Sequence, residues 1–146
     1  MLRIVVCCLG GASSSTMAKH FNDQLVEKGL TDQYSMSFMP FSLLTAEGPT
    51  FFSRKGNLQE RFDVALLCPH QEFEAKRLVP KLTIPVFVIP MRMYGPVDVE
   101  YLIEDAEDVL ELWNQGMPNV VEFPDEGRSM VATRRISHRR WAAGQG

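Results

Sequence analysis

The chain opens on Leu2-Arg3-Ile4-Val5-Val6-Cys7-Cys8, an almost unbroken β-branched and apolar run. A strand of this kind is covered on both faces, as in a parallel sheet, so the run predicts a central strand. Beyond Gly10-Gly11 and the hydroxyl cluster Ser13 to Thr16, Met17, Phe21 and Leu25 recur every four residues until Gly29, which is the pattern of a helix and its stop. Tyr34 to Phe41 reads as a second strand ended by Pro40, and Asp63 to Cys68 as a third. Between them, residues 42 to 61 hold Gly48-Pro49, Gly56-Asn57 and mixed charges, a long irregular connection of the kind that contacts partners or moves. A helix from about Gln71 to Val79 and a fourth strand, Pro85 to Ile89, follow. From Val99 onward, Leu102, Ile103, Ala106, Val109, Leu110 and Trp113 step at helical spacing, with Glu100, Glu104, Asp105, Glu107 and Asp108 on the other face. Phe21 and Trp113 are expected in the core.

Strands alternating with helices predict an α/β fold: an open four-stranded parallel sheet, order 2-1-3-4, with helices on both faces and right-handed crossovers. In that order the winding reverses between strands 1 and 3, and ligands of open α/β sheets settle outside the carboxyl ends of the strands at such a point. Cys8 ends strand 1 and Cys68 ends strand 3.

Size and charge narrow the picture. With 146 residues and 45% hydrophobic positions, the chain can fill the core of one domain without disulfides. Its net charge of -3 offers no general attraction to nucleic acid or to an anionic membrane. Ile84 to Met91 is far too short to span a bilayer and contains Pro85 and Pro90. The N-terminus reads as a strand rather than a signal peptide, and three cysteines make no disulfide framework, so a cytoplasmic chain with reduced thiols is expected. The charge is uneven. Residues 117 to 146 carry five arginines, Arg128, Arg134, Arg135, Arg139 and Arg140, against Glu122, Asp125 and Glu126, whereas residues 1 to 116 are net acidic. The expected organisation is therefore a domain over 1–116 and a basic, poorly ordered tail over 117–146 that is attracted back to the acidic body.

The chemistry gathers at Cys8. A cysteine at the end of a buried strand, then glycine-rich backbone, then Ser13, Ser14 and Ser15 opening a helix, provides inward amides, a helix dipole and hydroxyls for a phosphoryl group. The same dipole favours the thiolate, which is the nucleophilic form. The plainer reading is that the serines cap the helix and the cysteines fill a strand, and for Cys7, which alternates to the opposite face, that reading is preferred. Hydrolysis is disfavoured. A Cys-x5-Arg phosphatase needs a guanidinium six residues after its cysteine, but counting from Cys8 reaches Ser14 and from Cys7 reaches Ser13. No arginine lies from Val5 to Ala18, and no aspartate stands near to act as general acid. A loop that takes phosphate without such helpers suits a carrier.

Cys8-Leu9-Gly10-Gly11-Ala12-Ser13-Ser14-Ser15 resembles the Cys-x-x-Gly-x-Ser-[Thr/Ser]-Ser loop of the lactose/cellobiose (chitobiose) family of enzyme IIB components of the phosphoenolpyruvate-dependent sugar phosphotransferase system. Asp63 to His70 is similar to that family's apolar strand ending in Gly-Pro-Gln, and Met93-Tyr94-Gly95-Pro96-Val97-Asp98 to its Tyr-Gly-x-x-Asp segment. The resemblance covers about residues 1 to 115. It implies a phosphocarrier without cofactor or metal, with Cys8 as nucleophile and Leu9, Gly10, Gly11, Ala12, Ser13, Ser14 and Ser15 as the phosphate-binding loop. It also implies phosphate donation by a phosphohistidine of enzyme IIA and delivery to a sugar, a β-linked disaccharide at family level, held by the membrane component enzyme IIC. Cys68, Pro69, His70 and Tyr94 fall at the edge of the site or its partner interface. The chain departs from the family at Cys68, where a small residue is usual, at His70, where glutamine is usual, and in its basic tail.

Two other classes of function stay open on the residues. Cys8, Cys68 and His70 can form a redox pair or a thiolate–imidazole metal site, although structural zinc wants four ligands and paired short spacings. A regulator that keeps the fold can signal through the tail, where Arg134-Arg135-Ile136-Ser137 sets a serine beside basic residues. His20 and His138 are read as a helix-surface and a tail residue.

Overall fold

The computed structural model describes residues 1–8, 12–46, 58–69, 72–93, 98–116, 123 and 134–144. Four strands, β1 (Leu2–Cys8), β2 (Tyr34–Pro40), β3 (Val64–Leu67) and β4 (Val86–Val88), form one sheet in the order β2-β1-β3-β4 with every pair parallel. The helices in chain order are α1 (Ala12–Lys28), the single turn α2 (Phe41–Leu44), α3 (Glu72–Leu78), α4 (Val99–Asn114) and α5 (His138–Ala142). The α/β class and the strand order are those the sequence predicts. Among the described residues, no helix is long and apolar enough to cross a membrane.

The continuous apolar reading of β1 follows from its two covered faces. Ile4 and Val6 enter one core cluster with Met17, Phe21 and Leu25 of α1 and Leu102, Ile103, Ala106 and Val109 of α4. Val5 and Cys7 enter another, with Phe41 and Leu44 of α2, Leu58, Ala75 of α3, Leu82 and Ile84. Cys7 is thereby a fully buried core residue. The stop of α1 is a backbone device. Gly29 adopts φ 68°, and the amides of Gly29 and Leu30 donate to the carbonyls of Val26 (3.2 Å) and Leu25 (2.9 Å). This is a Schellman motif, and glycine takes the left-handed position without the Cβ penalty.

The connection after β2 is more ordered at its ends than its composition suggests. Phe41 and Leu44 are buried, and Leu58 returns to the same cluster with its amide donating to the Leu44 carbonyl at 3.2 Å. Gln59, fully buried, ties this return to the approach to β4: its Nε2 donates to the Lys81 carbonyl (3.2 Å) and its Oε1 accepts from the Thr83 amide (2.7 Å). Residues 47–57 lie outside the described residues.

Two expectations about α4 change. Trp113, in the last turn of α4, is half-buried rather than core. Asp105 is not on a solvated face. It is fully buried and paired with Arg134 at 2.9 Å. The sequence reading gives the tail no secondary structure, yet residues 134–144 lie along α4 and include α5. Ser137 caps α5, accepts from the Arg140 amide (3.4 Å) and donates to Glu104 (2.5 Å). The Asp105 carboxylate also accepts from the His138 amide at 2.8 Å. Arg140 reaches Glu104 (2.9 Å) and Glu100 (3.3 Å), and Arg139 reaches Asp108 (2.8 Å). Phe123 is buried against β4. Its ring lies 5.1 Å from Phe87 and stacks on His138 at 4.1 Å, with the Arg134 guanidinium 5.6 Å from its centre.

Candidate functional site

The helices that follow β1 and β3 lie on opposite faces of the sheet: α1 packs with Ile4 and Val6, and Ala75 of α3 with Val5 and Cys7. Open α/β sheets bind ligands outside the carboxyl ends of strands whose following helices diverge in this way. Cys8 is the last residue of β1, in register with Pro40 of β2. On the other side the Cys68 amide donates to the Cys7 carbonyl at 3.0 Å, and beyond it the Ile89 amide donates to the Leu67 carbonyl at 2.8 Å. The sheet therefore brings Cys8, Cys68 and Pro69, and Ile89 and Pro90 to one edge. Cys68 is fully buried and Pro69 half-buried.

Three residues separate the end of β1 from the start of α1 at Ala12. Ala12, Ser13, Ser14 and Ser15 form the first turn of a helix of 17 residues, with no acidic residue in that turn. The leading amides of a helix have no carbonyl partner within it, and they carry the positive end of the dipole. Met17 and Phe21 fix the axis of α1 by burial against the sheet, and Asn22 ties it sideways, donating to the Met36 carbonyl of β2 at 2.8 Å. The frame on either side of the loop is thus held by core packing. Leu9, Gly10 and Gly11, and likewise His70 and Tyr94, lie outside the described residues, as do the side chains of Cys8, Ala12, Ser13, Ser14 and Ser15.

The segment after β4 has one end in view. Met93 is buried, with its amide on the Pro90 carbonyl at 2.8 Å. Asp98 is the N-cap of α4: it accepts from the Glu100 amide (2.9 Å) and pairs with Lys28 (3.5 Å). The Val99 amide donates to Gln24 of α1 at 2.8 Å. Asp98 therefore fastens α4 to α1. The pairing through Gln24 has no signature in the sequence, since a polar residue on a helix reads as solvated.

Among the described residues, the ionisable groups with resolved shifts lie elsewhere. At the start of β1, Arg3 holds Asp63 through its amide (2.7 Å) and its guanidinium (3.0 Å), and these bonds keep the Asp63 carboxyl below the usual carboxylate range and raise Arg3. Burial works to raise Glu104, but the hydrogen bonds from Arg140 and Ser137 outweigh it and the carboxyl is lowered. Desolvation first, and then the charge of Glu107, raise Tyr34, whose hydroxyl donates to Glu107 at 3.2 Å. One surface feature near the edge escaped the sequence reading. Phe73, in the first turn of α3 just beyond Pro69, is 76% exposed. The spacing of Ala75 and Leu78, which do pack inward, leaves Phe73 off the buried stripe.

No protein-family model matches the chain, and no curated protein matches it. Among solved structures it is similar to the lactose-specific IIB component domain of the phosphoenolpyruvate:carbohydrate phosphotransferase system from Streptococcus pneumoniae, at 14% identity and a TM-score of 0.44. The match covers 78% of this chain and 95% of that one. At that score the likeness is distant and says nothing of activity.

Proposed function

We propose that the chain is a sugar-phosphotransferase component of the enzyme IIB kind, carrying phosphate as a thiophosphate on Cys8. The observation that carries this reading is the pairing of sequence and frame: the Cys8–Ser15 motif runs from the last residue of the central strand into the first turn of α1, at the point where the winding reverses. A cysteine set before such a turn has an oriented dipole for an incoming anion and for its own thiolate.

In the first step the Cys8 thiolate attacks the phosphorus of a phosphohistidine on a donor of the enzyme IIA kind. The S–P bond forms, the P–N bond breaks and the imidazole leaves with its electron pair. Amides of residues 9 to 15 hold the peripheral oxygens through the in-line displacement, so catalysis is by positioning and charge stabilisation. In the second step a hydroxyl of a sugar, a β-linked disaccharide, attacks the same phosphorus within the membrane partner enzyme IIC. The O–P bond forms, sulfur departs as thiolate, and the hydroxyl proton passes to a base of the partner. The absence of any arginine or aspartate from Ile4 to Ala18 removes the aids a phosphatase would use, so the thiophosphate outlives the interval between partners. Exposed Phe73, beside the carboxyl edge, supplies an apolar contact for such a partner.

The test is intact-mass measurement after incubation with phosphoenolpyruvate, the general phosphotransferase proteins and a panel of enzyme IIA proteins. One added phosphate, transferable to sugar in membranes that hold enzyme IIC, is the expected result. No phosphate from any donor overturns the reading.

A further inference from the structure

We propose that Cys68 is a resolving thiol for Cys8, closing a reversible disulfide that shelters the nucleophile from peroxide. The inference rests on the carrier reading and adds a regulation of the same site. Its basis is the register of the two central strands. β1 and β3 pair Cys7 with Leu67, and the ladder continues through the Cys68 amide, which donates to the Cys7 carbonyl at 3.0 Å. Carried one residue further, this register sets Cys8 opposite Cys68. Adjacent strands lie about 4.8 Å apart, within the roughly 4.4–6.8 Å between Cα atoms that a disulfide bridges.

Position and burial divide the roles. Cys8 closes the strand that leads into the first turn of α1, whose dipole favours the thiolate that reacts with peroxide. Cys68 is fully buried, which suits a thiol that reacts only with its neighbour. The chemistry takes two steps. The Cys8 thiolate displaces hydroxide from a hydroperoxide, forming an S–O bond and breaking the O–O bond, to give the sulfenic acid. Cys68 then attacks that sulfur, the S–S bond forms, the S–O bond breaks and water leaves with the thiol proton. Cys8 and Cys68 together lose two electrons, and the peroxide gains them. Thiol–disulfide exchange with a dithiol restores both thiols, as a switch requires. Without Cys68, the sulfenic acid proceeds to the sulfinic acid, which thiols do not reverse.

The experiment treats the full chain with hydrogen peroxide, first stoichiometric and then in excess. Tryptic peptides are mapped without reduction, and phosphate acceptance is measured before oxidation, after it and after dithiothreitol. Cys7→Ala, Cys8→Ser, Cys68→Ala and Cys68→Ser are run beside the natural chain, the two Cys68 variants guarding against loss of fold in either. The expected result is a cross-link between the peptides Ile4–Lys19 and Phe62–Lys76 that persists in Cys7→Ala and vanishes in Cys8→Ser. Acceptance is lost on oxidation and returns almost fully with dithiothreitol in the natural chain. After excess peroxide it stays lost in both Cys68 variants. A cross-link that survives in Cys8→Ser, no cross-link at all, or equal recovery in the Cys68 variants overturns the proposal. Acceptance by the reduced chain is read separately: phosphate without a cross-link overturns the switch alone, and a cross-link in a chain that takes no phosphate supports the thiol pair while overturning the carrier.

Discussion

At the carboxyl edge of the sheet, no charged residue occurs from Ile4 to Ala18, and the attraction offered to an anion comes from backbone, through the first turn of α1. At the seam between α4 and the C-terminal segment the reverse holds. Arg134, Arg139 and Arg140 meet Asp105, Asp108, Glu104 and Glu100 over distances of 2.8 to 3.3 Å. Side-chain charges that face one another are already neutralised and contribute to the fold. Backbone dipoles have no counter-charge of their own and stay available to a group that comes and goes. The difference teaches where to look for chemistry in this chain: at the uncharged strand end, with the dense ion pairs serving as a fastener.

The largest effect that separates the two regions is expected from Cys8→Ser, which abolishes stable phosphate acceptance while leaving thermal unfolding close to that of the natural chain. Cys7→Ser retains most acceptance, because Cys7 serves the core. Fastener substitutions do the opposite. Asp105→Ala or Arg134→Ala leaves a charge buried without its partner and costs about 3–5 kcal/mol of stability by denaturant unfolding. Asp105→Leu with Arg134→Met together recovers most of that loss, since a packed apolar pair replaces two desolvated charges. If an Asp105 or Arg134 variant, at a temperature where it is folded, loses phosphate acceptance per molecule, the division between the regions fails.

A smaller effect is expected from Ser137→Ala, which removes the cap of α5 and a donor to Glu104 and lowers stability by about 1–2 kcal/mol. Acid acts on the same seam. The folded Glu104 carboxyl lies below its ordinary 4.5, so its contribution is present above that value and disappears as pH falls through the folded pKa. Asp63, lowered by Arg3, contributes with the same sign at the start of β1. Unfolding midpoints followed from pH 6 to pH 3 should therefore fall on acidification, and Glu104→Gln should flatten part of that fall. The smallest effect is expected at Lys19–Asp23, an exposed pair on α1 at 3.2 Å, where Lys19→Ala should change neither stability nor acceptance measurably.

The frame was readable because its signals are local and redundant. Ile4-Val5-Val6 has a single apolar reading, and the i, i+4 recurrence of Met17, Phe21 and Leu25 with Gly29 after it gives a helix and its end. Alternation of strands and helices then leaves few sheet orders. The fastener was not readable. Asp105 sits on the acidic side of an amphipathic pattern, and its partner Arg134 lies 29 residues away in a segment without periodicity. Among the described residues, Phe123 is the apolar side chain by which that segment enters the core, and one aromatic makes no pattern. At the site, spacing led to the strand end and the start of α1. The roles of Cys68, His70 and Tyr94 depend on how separate strand ends meet, and a linear pattern carries little of that. For Cys68 it is the backbone bond to Cys7, not its spacing, that sets it beside β1.

In the proposed reaction, phosphate rides on the sulfur of Cys8. The most direct measurement is fragmentation of the tryptic peptide Ile4–Lys19, isolated after phosphorylation and kept under conditions that preserve an S–P bond. The expected result is one phosphate on Cys8 and none on Cys7, Ser13, Ser14, Ser15 or Thr16. A phosphate on any of the hydroxyls, or an unmodified peptide from a chain exposed to competent donors, would contradict it.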